Sequence, residues 1–252
     1  MLISDHENVR ELRLNRPPAN AISPDLIADL TRAIEVAPRD GARGIVLSGA
    51  PGMFSAGLDL PLWVNLDRTA VSKAWHEFYD LLRALACSSI PIAAAITGHA
   101  PAGGTVLSVF CDWRCMARGN WKMGFTEVQV GLPLPPIIFR VLRRQTGARQ
   151  AERLSAGGVL LTPDEALSIG LVDELVSAEG VVERAIGWCS NLLKLPAAAM
   201  SETRRKARAD LAAIFQEDLE PEIEGVIASW WTDEAQSTLR GVAAKLTGTK
   251  QA

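Results

Sequence analysis

The sequence predicts an α/β fold in which largely parallel strands alternate with helices. Two short apolar runs, GIVLS at 44–48 and PIAAAIT at 91–97, have the length and continuity of strands that are covered on both faces. Between them lie segments whose apolar residues recur at helical spacing, and this alternation is typical of α/β folds. The chain has 252 residues, of which 48% are hydrophobic and 22% charged, so it is long and apolar enough to build a sizeable core.

The individual elements follow from local signals. Asn8 to Leu14 alternates apolar and polar residues, as a strand does. Ser23 is a candidate N-cap, with Pro24 in the first turn of the helix that it opens. Thr162 and Glu165 form a second helix start, a capping box. Further predictions are a helix with a stripe of Trp75, Phe78, Tyr79, Leu82 and Leu85, a helix stop at Gly170, and a strand from Leu171 to Val176.

The C-terminal part of the sequence is helical throughout. After about Val181 no strand pattern remains, and breaks are expected near Pro196 and Pro221. We therefore expect an α/β core over residues 1–195 and a helical region over 196–252. The adjacent Trp230 and Trp231 point about 100° apart on a helix, which suggests that a second copy of the chain covers part of this region.

Composition excludes several classes of function. The net charge of −3 gives no reason to expect binding to nucleic acid or to an anionic membrane. No run of 18 apolar residues is present, and the first twelve residues are charged without an apolar stretch, so we expect a cytoplasmic protein without a membrane partner. The four cysteines and three histidines are scattered, which predicts buried thiols and no metal site. Motifs of serine hydrolases, zinc proteases, P-loop proteins and dinucleotide-binding folds are absent.

Two loops of small residues follow predicted strands. The first is FSAGLDL at 54–60, and the second is GHAPAGG at 98–104, which opens an apolar helix. Small residues let a ligand approach the backbone, and the N–H groups at a helix start have no intrahelical partner. Two such loops are able to aim two N–H groups at one developing oxyanion. The alternative interpretation is tight turns with close helix packing.

A single carboxylate lies in the apolar segment GFTEVQVGL at 124–132. If Glu127 is withdrawn from water there, its pKa rises and it becomes a suitable base near neutral pH. The alternative is an ordinary surface glutamate on a turn.

Taken together and in this order, these segments resemble the crotonase (enoyl-CoA hydratase/isomerase) superfamily. The landmarks are the FSAGLD loop, the GHAPAGG helix start, the dipeptide Cys111-Asp112 and the segment around Glu127. The similarity spans residues 8–176. FSAGLDL, the proline of PAGG and the spacing ExQxG at 127–131 are most similar to the mitochondrial-type 3,2-trans-enoyl-CoA isomerase branch.

The resemblance implies a spiral of ββα units that assembles as a homotrimer or homohexamer. It implies that the backbone N–H groups of Ala56 and Gly103 form the oxyanion hole and that Glu127 is the catalytic base. The substrate is then an acyl-CoA thioester, with coenzyme A as part of the substrate and no further cofactor. The substrate-binding residues that it implies are Ala56, Gly57, Leu58, Asp59, Leu60, Gly103 and Thr126, with Asp59 holding its loop and Lys245 and Lys250 near the CoA phosphates.

One position separates the reactions within the superfamily. Hydratases carry a second glutamate in the helix that begins at the glycine pair, and that position here is Val106. Water addition uses two carboxylates, whereas moving a double bond from C3 to C2 needs one, so we expect an enoyl-CoA isomerase. The alternatives are another reaction with a single carboxylate (weak hydration, thioester hydrolysis or decarboxylation) and a non-catalytic acyl-CoA-binding protein.

Five apolar residues line either the acyl pocket or the core: Trp63, Leu66, Trp75, Phe78 and Leu132.

Overall fold

A computed structural model of the chain describes residues 1–248. The strands are β1 Leu2–His6, β2 Val9–Arg13, β3 Gly44–Ser48, β4 Gly52–Met53, β5 Ile92–Ile96, β6 Gly98–Pro101, β7 Trp113–Ala117, β8 Met123–Gly124, β9 Leu160–Leu161 and β10 Glu174–Val176. The α-helices are α1 Pro24–Val36, α2 Leu60–Trp63, α3 Arg68–Cys87, α4 Gly103–Val109, α5 Pro136–Thr146, α6 Ala148–Gly157, α7 Pro163–Ser168, α8 Val181–Leu193, α9 Ala197–Ala207, α10 Ala209–Ile214, α11 Glu220–Trp230 and α12 Asp233–Gly248. Short 3-10 helices span Glu127–Val130 and Ala178–Gly180.

The strands form two sheets. The larger sheet has the order β1-β2-β3-β5-β7-β10, and all its pairs are parallel except β1 with β2. The smaller sheet has the order β4-β6-β8-β9, with only β8 and β9 antiparallel. Three times in succession, a strand of the large sheet is followed by a strand of the small sheet and then by a helical segment. This is the α/β spiral of ββα units that the resemblance implied, so the predicted fold class is confirmed.

Both faces of the large sheet are covered, which explains the continuous apolar runs. All five residues of β3 and all five of β5 are buried. On one face, α8 packs against β2, β3, β5 and β7 through a small cluster that includes Val46, Ala95 and Ala185. The other face belongs to the main core, which also receives Trp230 of α11 and Leu239 of α12.

Helix starts agree well with the sequence signals. Ser23 Oγ accepts a hydrogen bond from the Leu26 N–H at 3.2 Å, and α1 begins at Pro24. Thr162 and Glu165 form both bonds of the capping box at the start of α7. Both predicted breaks are present: α8 ends at Leu193, just before Pro196, and five residues separate the end of α10 at Ile214 from the start of α11 at Glu220. Pro221 lies in the first turn of α11, where its missing N–H costs nothing. Between these breaks the C-terminal region is helical as predicted, up to residue 248.

The C-terminal helices pack on the same chain. Helices α10 and α11 contact α3, and α12 contacts both α2 and the 3-10 helix Glu127–Val130. The side chain of Trp230 is fully buried between Trp63 and Trp75, with ring centroids at 5.7 and 6.3 Å. Trp231 is half-buried beneath the guanidinium of Arg68. The tryptophan pair is therefore largely covered within one chain, contrary to the reasoning that took it as a sign of a second copy.

Candidate active site

The two small-residue loops touch each other. Gly57 has a φ of +84°, and a Cβ placed on it would lie 2.9 Å from both the Gly103 nitrogen and the Ala102 Cβ. A Cβ on Gly103 would in turn lie 3.0 Å from the Gly57 Cα and 2.8 Å from Cδ1 of Ile22. The backbones can approach this closely only because both positions lack a side chain. The two loops therefore meet in the structure, as they must if both are to donate to one oxyanion.

The backbone N–H of Ala56 is already in use. It donates to the carbonyl oxygen of Ala19 at 3.0 Å, so it is not available to an oxyanion while that bond exists. This differs from the donor that the resemblance implied. The next N–H along the loop, that of Gly57, donates to the Ser55 hydroxyl at 3.3 Å.

The open donor of this loop is the N–H of Leu58. Ile22 forms an isolated parallel bridge with Leu58: the Ile22 N–H donates to the Gly57 carbonyl at 2.8 Å, and the Asp59 N–H donates to the Ile22 carbonyl at 3.0 Å. In this bridge Gly57 and Asp59, on either side of Leu58, both bond to Ile22. The N–H of Leu58 itself therefore points away from Ile22. Accordingly, the Leu58 N–H has no acceptor within residues 1–248.

The second open donor lies at the start of α4. Gly103 is the first residue of this helix, and its N–H has no acceptor among the described residues, as expected in a first turn. The preceding residue, Ala102, has φ 47° and ψ −122°, a conformation rarely adopted by a residue with a side chain. Its own N–H is fixed by the Gly124 carbonyl at 2.8 Å. Backbone strain of this kind is common where a structure fixes the aim of a functional group.

Glu127 combines burial with a missing partner. Its Oε2 atom is inaccessible to solvent and has no hydrogen-bond partner in the described part of the chain. Because burial disfavours the charged form, the pKa of the Glu127 carboxyl rises to about 7, only partly offset by a bond to its own backbone N–H. The residue opens a 3-10 helix that ends at Gly131, where φ is 78°. At neutral pH the carboxyl therefore exchanges a proton easily, which is the property that a general base needs.

Thr105 fixes the position of the base segment relative to α4. Its hydroxyl accepts a hydrogen bond from the Gly124 N–H at 2.8 Å and donates to the Ala100 carbonyl. The same side chain therefore joins α4, which presents the Gly103 N–H, to β8, which leads to Glu127. Thr126, between β8 and Glu127, is half-buried and forms no side-chain cap on the 3-10 helix.

The segments that carry Gly103, Val106 and Glu127 hold one further carboxylate. The sequence from 98 to 136 contains only two acidic residues, Asp112 and Glu127. Asp112 is held by both ends of the Arg204 guanidinium, at 2.7 and 2.8 Å, and accepts from the Ile92 N–H, so it anchors α9 to the sheet. Val106 is 1% exposed and lies in the first turn of α4. The position at which hydratases carry their second glutamate is thus a buried hydrocarbon.

Asp59 and Leu60 shape the end of the first loop. The Asp59 carboxylate accepts from the Leu62 N–H at 3.2 Å and caps α2, which begins at Leu60. It also pairs with the Arg16 guanidinium at 2.5 Å. The role expected for Asp59, holding the loop, agrees with these contacts.

Of the two tail lysines, Lys245 lies exposed on α12, and Lys250 lies outside the described residues.

The sequence analysis missed Asn20. This residue is 1% exposed and has φ 48°, and its Nδ2 donates to the carbonyls of Met53 and Phe54 at 3.1 Å each. Its backbone carbonyl accepts the Ser55 hydroxyl at 2.8 Å. Asn20 therefore fixes the start of the first loop. A signal was present: an asparagine in the turn RPPAN, just before a helix N-cap, is a residue type that tolerates positive φ.

The aromatic residues near the loops are core. Trp63, Trp75 and Phe78 are at most 5% exposed, and the Trp63 and Trp75 rings meet edge to face at 5.5 Å. The Trp63 indole N–H donates to the Ile22 carbonyl at 2.9 Å. Leu66 is partly buried against the same cluster, and Leu132 is buried in it.

Searches for two other kinds of site gave nothing within residues 1–248. No three His, Cys, Asp or Glu side chains come together there as metal ligands would. None of the helices in that range is both long enough and apolar enough to cross a membrane.

Comparison with known proteins shows the family of this chain. Residues 4–242 match the enoyl-CoA hydratase/isomerase family. Mouse mitochondrial enoyl-CoA delta isomerase 1 is 31% identical, over 94% of this chain and 83% of that protein. A probable enoyl-CoA hydratase from Mycobacterium avium is 33% identical, over 81% of this chain and 78% of that protein. The crystal structure of human mitochondrial delta3-delta2-enoyl-CoA isomerase superimposes with a TM-score of 0.93 at 28% identity, covering 99% of this chain and 98% of that one. The fold, the two abutting loops and the match along nearly the whole sequence show that this chain is an enzyme of the enoyl-CoA hydratase/isomerase family, with the crotonase fold.

Proposed function

We propose that this enzyme is an enoyl-CoA isomerase that converts a 3-enoyl-CoA to the trans-2-enoyl-CoA. The observation that carries the proposal is a single buried carboxylate, Glu127, with a pKa of about 7 and no second carboxylate in its segment or in α4. One base that removes a proton and returns it elsewhere is sufficient for this reaction. The similarity to isomerases over nearly the full chain supports the same choice.

The reaction proceeds in two proton transfers. The ionised carboxylate of Glu127 removes a proton from C2 of the 3-enoyl thioester, and the electron pair of the broken C–H bond forms a dienolate with negative charge on the thioester oxygen. Glu127, now protonated, gives that proton to C4, and the electrons return to make the C2–C3 double bond. The proton count is unchanged, so the reaction needs no cofactor beyond the coenzyme A of the substrate.

The oxyanion hole in this proposal consists of the N–H groups of Leu58 and Gly103. Both lack an acceptor among the described residues, and their loops are in van der Waals contact at Gly57. Donors that are fixed before the reaction stabilise developing charge without reorganising, and one such donor typically contributes about 3–4 kcal/mol. We therefore replace the N–H of Ala56, which holds the Ala19 carbonyl, by that of Leu58.

The remaining residues of the first loop bind substrate in this proposal. We expect Gly57, Leu58, Asp59 and Leu60 to contact the pantetheine and adenine of CoA through the backbone, and Thr126, next to Glu127 in the sequence, to contact the acyl group. The cytoplasmic location and the trimeric or hexameric assembly stay predictions, and the names of the mouse and human relatives place those two proteins in mitochondria.

Hydration is the second candidate, because the similarity to a probable hydratase is as close as that to the isomerases. Val106 argues against it. Valine accepts no hydrogen bond, so a water molecule beside it loses a partner, at a cost of about 1–3 kcal/mol. We therefore expect the enzyme to isomerise well and to hydrate slowly.

The test measures both reactions with the same preparation. We expect trans-3-hexenoyl-CoA to be isomerised at least about a hundred times faster than crotonyl-CoA is hydrated, and Glu127→Gln to lower the isomerisation kcat by about 10²–10⁴ with little change in CoA-ester affinity. Equal rates on the two substrates, or a Glu127→Gln variant with activity near that of the parent, would overturn the proposal.

A further inference from the structure

A cleft of about 230 Å³ lies between α2 and α12. Its walls are mostly apolar. Pro61 of α2 and Val64, which follows that helix, form one side, and Ala243 and Ala244 of α12 form the other. Among residues 1–248, one side chain with a formal charge lines it, Arg240. In the part of the chain that the structure describes, the cleft is therefore an apolar groove with a single cation at its edge.

The two neutral polar side chains of the cleft bond within their own segments. The Asn65 amide donates to the Pro61 carbonyl at 2.8 Å, and the Thr247 hydroxyl donates to the Ala243 carbonyl at 3.2 Å. Arg240 differs from both, because it has no ion pair or hydrogen bond within residues 1–248. Its helical neighbours three and four positions away are Gln236, Ser237, Ala243 and Ala244, so α12 places no carboxylate within one turn of Arg240.

The cleft adjoins both halves of the proposed reaction centre. Pro61 is three residues after Leu58, which places their Cα atoms at most about 11 Å apart. Along α12, Arg240 is five residues after Ala235, a rise of about 7.5 Å. The Ala235 Cα lies 3.2 Å from where a Cβ on Gly131 would be, at the end of the 3-10 helix that Glu127 opens. A linear chain held at Leu58 and Glu127 is thus close enough to enter the cleft.

We infer that Arg240 binds a carboxylate at the far end of the acyl chain, so that the preferred substrates are thioesters of dicarboxylic acids. The inference rests on the proposed function, since it assigns the acyl group of the same reaction. A hydrocarbon chain that ends in one carboxylate matches an apolar groove with one cation, whereas the several phosphates of CoA would call for more than one cation. Three bonds of an extended chain advance about 3.6 Å, so a chain of eight carbons spans about 8 Å, which is similar to the rise of about 7.5 Å from Ala235 to Arg240.

The experiment compares two substrates of equal length. These are trans-3-octenoyl-CoA and the CoA monothioester of trans-3-octenedioic acid, which differ only in the terminal carboxylate. We expect the parent enzyme to show the lower KM for the dioic thioester. We expect Arg240→Gln to raise that KM about 5- to 10-fold, with kcat and the KM for the neutral thioester unchanged, and Arg240→Lys to keep part of the preference.

The matched control is Arg32→Gln, which removes an exposed arginine on α1 that likewise has no ion pair within residues 1–248. This variant is expected to leave both KM values unchanged. If Arg240 instead binds a CoA phosphate, Arg240→Gln will weaken both CoA thioesters equally and will have no effect on the corresponding pantetheine thioesters. That result overturns the inference, as does an Arg240→Gln variant that affects none of the substrates.

A binding measurement separates this inference from the proposed function. The CoA monothioester of octanedioic acid has no double bond, so calorimetry reports its Kd whether or not the enzyme is an isomerase. If neutral trans-3-octenoyl-CoA is not isomerised, the proposed function fails. The inference still stands if Arg240→Gln raises this Kd and leaves that of octanoyl-CoA unchanged.

Discussion

At the scale of single residues, Glu127 sets the pH dependence of the enzyme. Its Oε2 is buried without a partner, and burial raises the pKa of the carboxyl to about 7. A base must be ionised to act, so raising its pKa makes it stronger but reduces the ionised fraction at low pH. A pKa near the working pH balances these two effects.

The pH profile of kcat/KM tests this value. We expect log(kcat/KM) for isomerisation to rise with a slope of about one below pH 7 and to level off above it, because the ionised form of free Glu127 is the active one. A profile that is already flat from pH 5 upward would show that the base is an ordinary carboxylate of low pKa.

The same burial predicts that Glu127 destabilises the fold. The carboxyl has a pKa of about 7 in the native protein against 4.5 for an ordinary glutamate, so the folded state holds the proton more tightly. Stability is lost as the pH rises from about 4.5 to 7, and the loss above pH 7 reaches about 3 kcal/mol. We therefore expect Glu127→Gln to raise the free energy of unfolding by about 1–3 kcal/mol at pH 8.

Urea unfolding at two pH values and one protein concentration measures the effect. The gain from Glu127→Gln is expected to shrink to less than about 1 kcal/mol at pH 5, where the native carboxyl is protonated in the parent. A variant that is less stable than the parent at pH 8 would contradict the assignment of burial as the cause of the raised pKa.

The identity of the oxyanion donors shows how far residue-level prediction reaches. The sequence located the FSAGLDL loop and Gly103 correctly, because small residues after a strand are a local signal. It did not show which N–H of the loop is free. That depends on Ile22, which pairs with both neighbours of Leu58, and on Ala19, which occupies the Ala56 N–H. Because these hydrogen-bond partners lie in a distant turn, they cannot be inferred from the residues of the loop itself.

At the scale of elements, the contact between the first loop and the start of α4 is the most demanding feature of the site. Gly104 adds to it, since a Cβ there would lie 2.3 Å from the Ser55 carbonyl oxygen. Substitutions at these glycines act on the distance between the two proposed donors rather than on any catalytic side chain.

Gly57→Ala tests this contact. The added methyl has no room beside Gly103, and φ at this position is +84°, so the loop and α4 must move apart. We expect kcat to fall at least about 10²-fold, as in other losses of an oxyanion donor, with a smaller change in Kd for CoA. The control is Gly187→Ala in α8, where the added Cβ would meet no atom outside its own helix turn within 4 Å. This variant is expected to keep full activity. A fully active, folded Gly57→Ala variant would show that the two loops do not need to touch.

Elements with strong local signals were predictable, and those defined by pairing were not. Strand β3 has the predicted bounds, and α1 has the predicted start. Strand β1 was missed, because every one of its residues is exposed and it is held only by antiparallel pairing to β2. Residues 98–101 were expected in a loop, but they form β6 by pairing with β4 and β8, two strands that are only two residues long.

At the scale of the whole molecule, the exposed apolar residues bear on assembly more than the tryptophan pair does. Val128 and Leu160 are 41% and 37% exposed. Val128 packs beside Gly158, since a Cβ on that glycine would lie 2.9 Å from the Val128 side chain, and Leu160 follows Gly158 by two residues. Exposed apolar side chains that cluster are typical of surfaces that meet another protein.

We expect an oligomer of three or six chains in solution. Light scattering at micromolar concentration measures this directly, and Leu160→Asp is expected to shift the distribution toward smaller species, because it places a charge on the exposed patch. Leu195→Asp, which alters a leucine between α8 and α9 that is 50% exposed, is the control. A monomeric parent protein would refute the prediction.

The bridge between Ile22 and Leu58 has a further consequence for the stage of folding at which the active site forms. The Leu58 N–H acquires its orientation only when Ile22, before α1, has paired with the loop after β4. Gly103, which contacts this loop, comes later in the sequence, after α3. Contacts between such distant parts of a sequence close large loops and tend to form slowly in folding. Helices and single strands can therefore exist in a refolding chain before any pair of donors faces a thioester. Turnover is in this sense a reporter of the completed tertiary structure, since it requires all three segments to be held together.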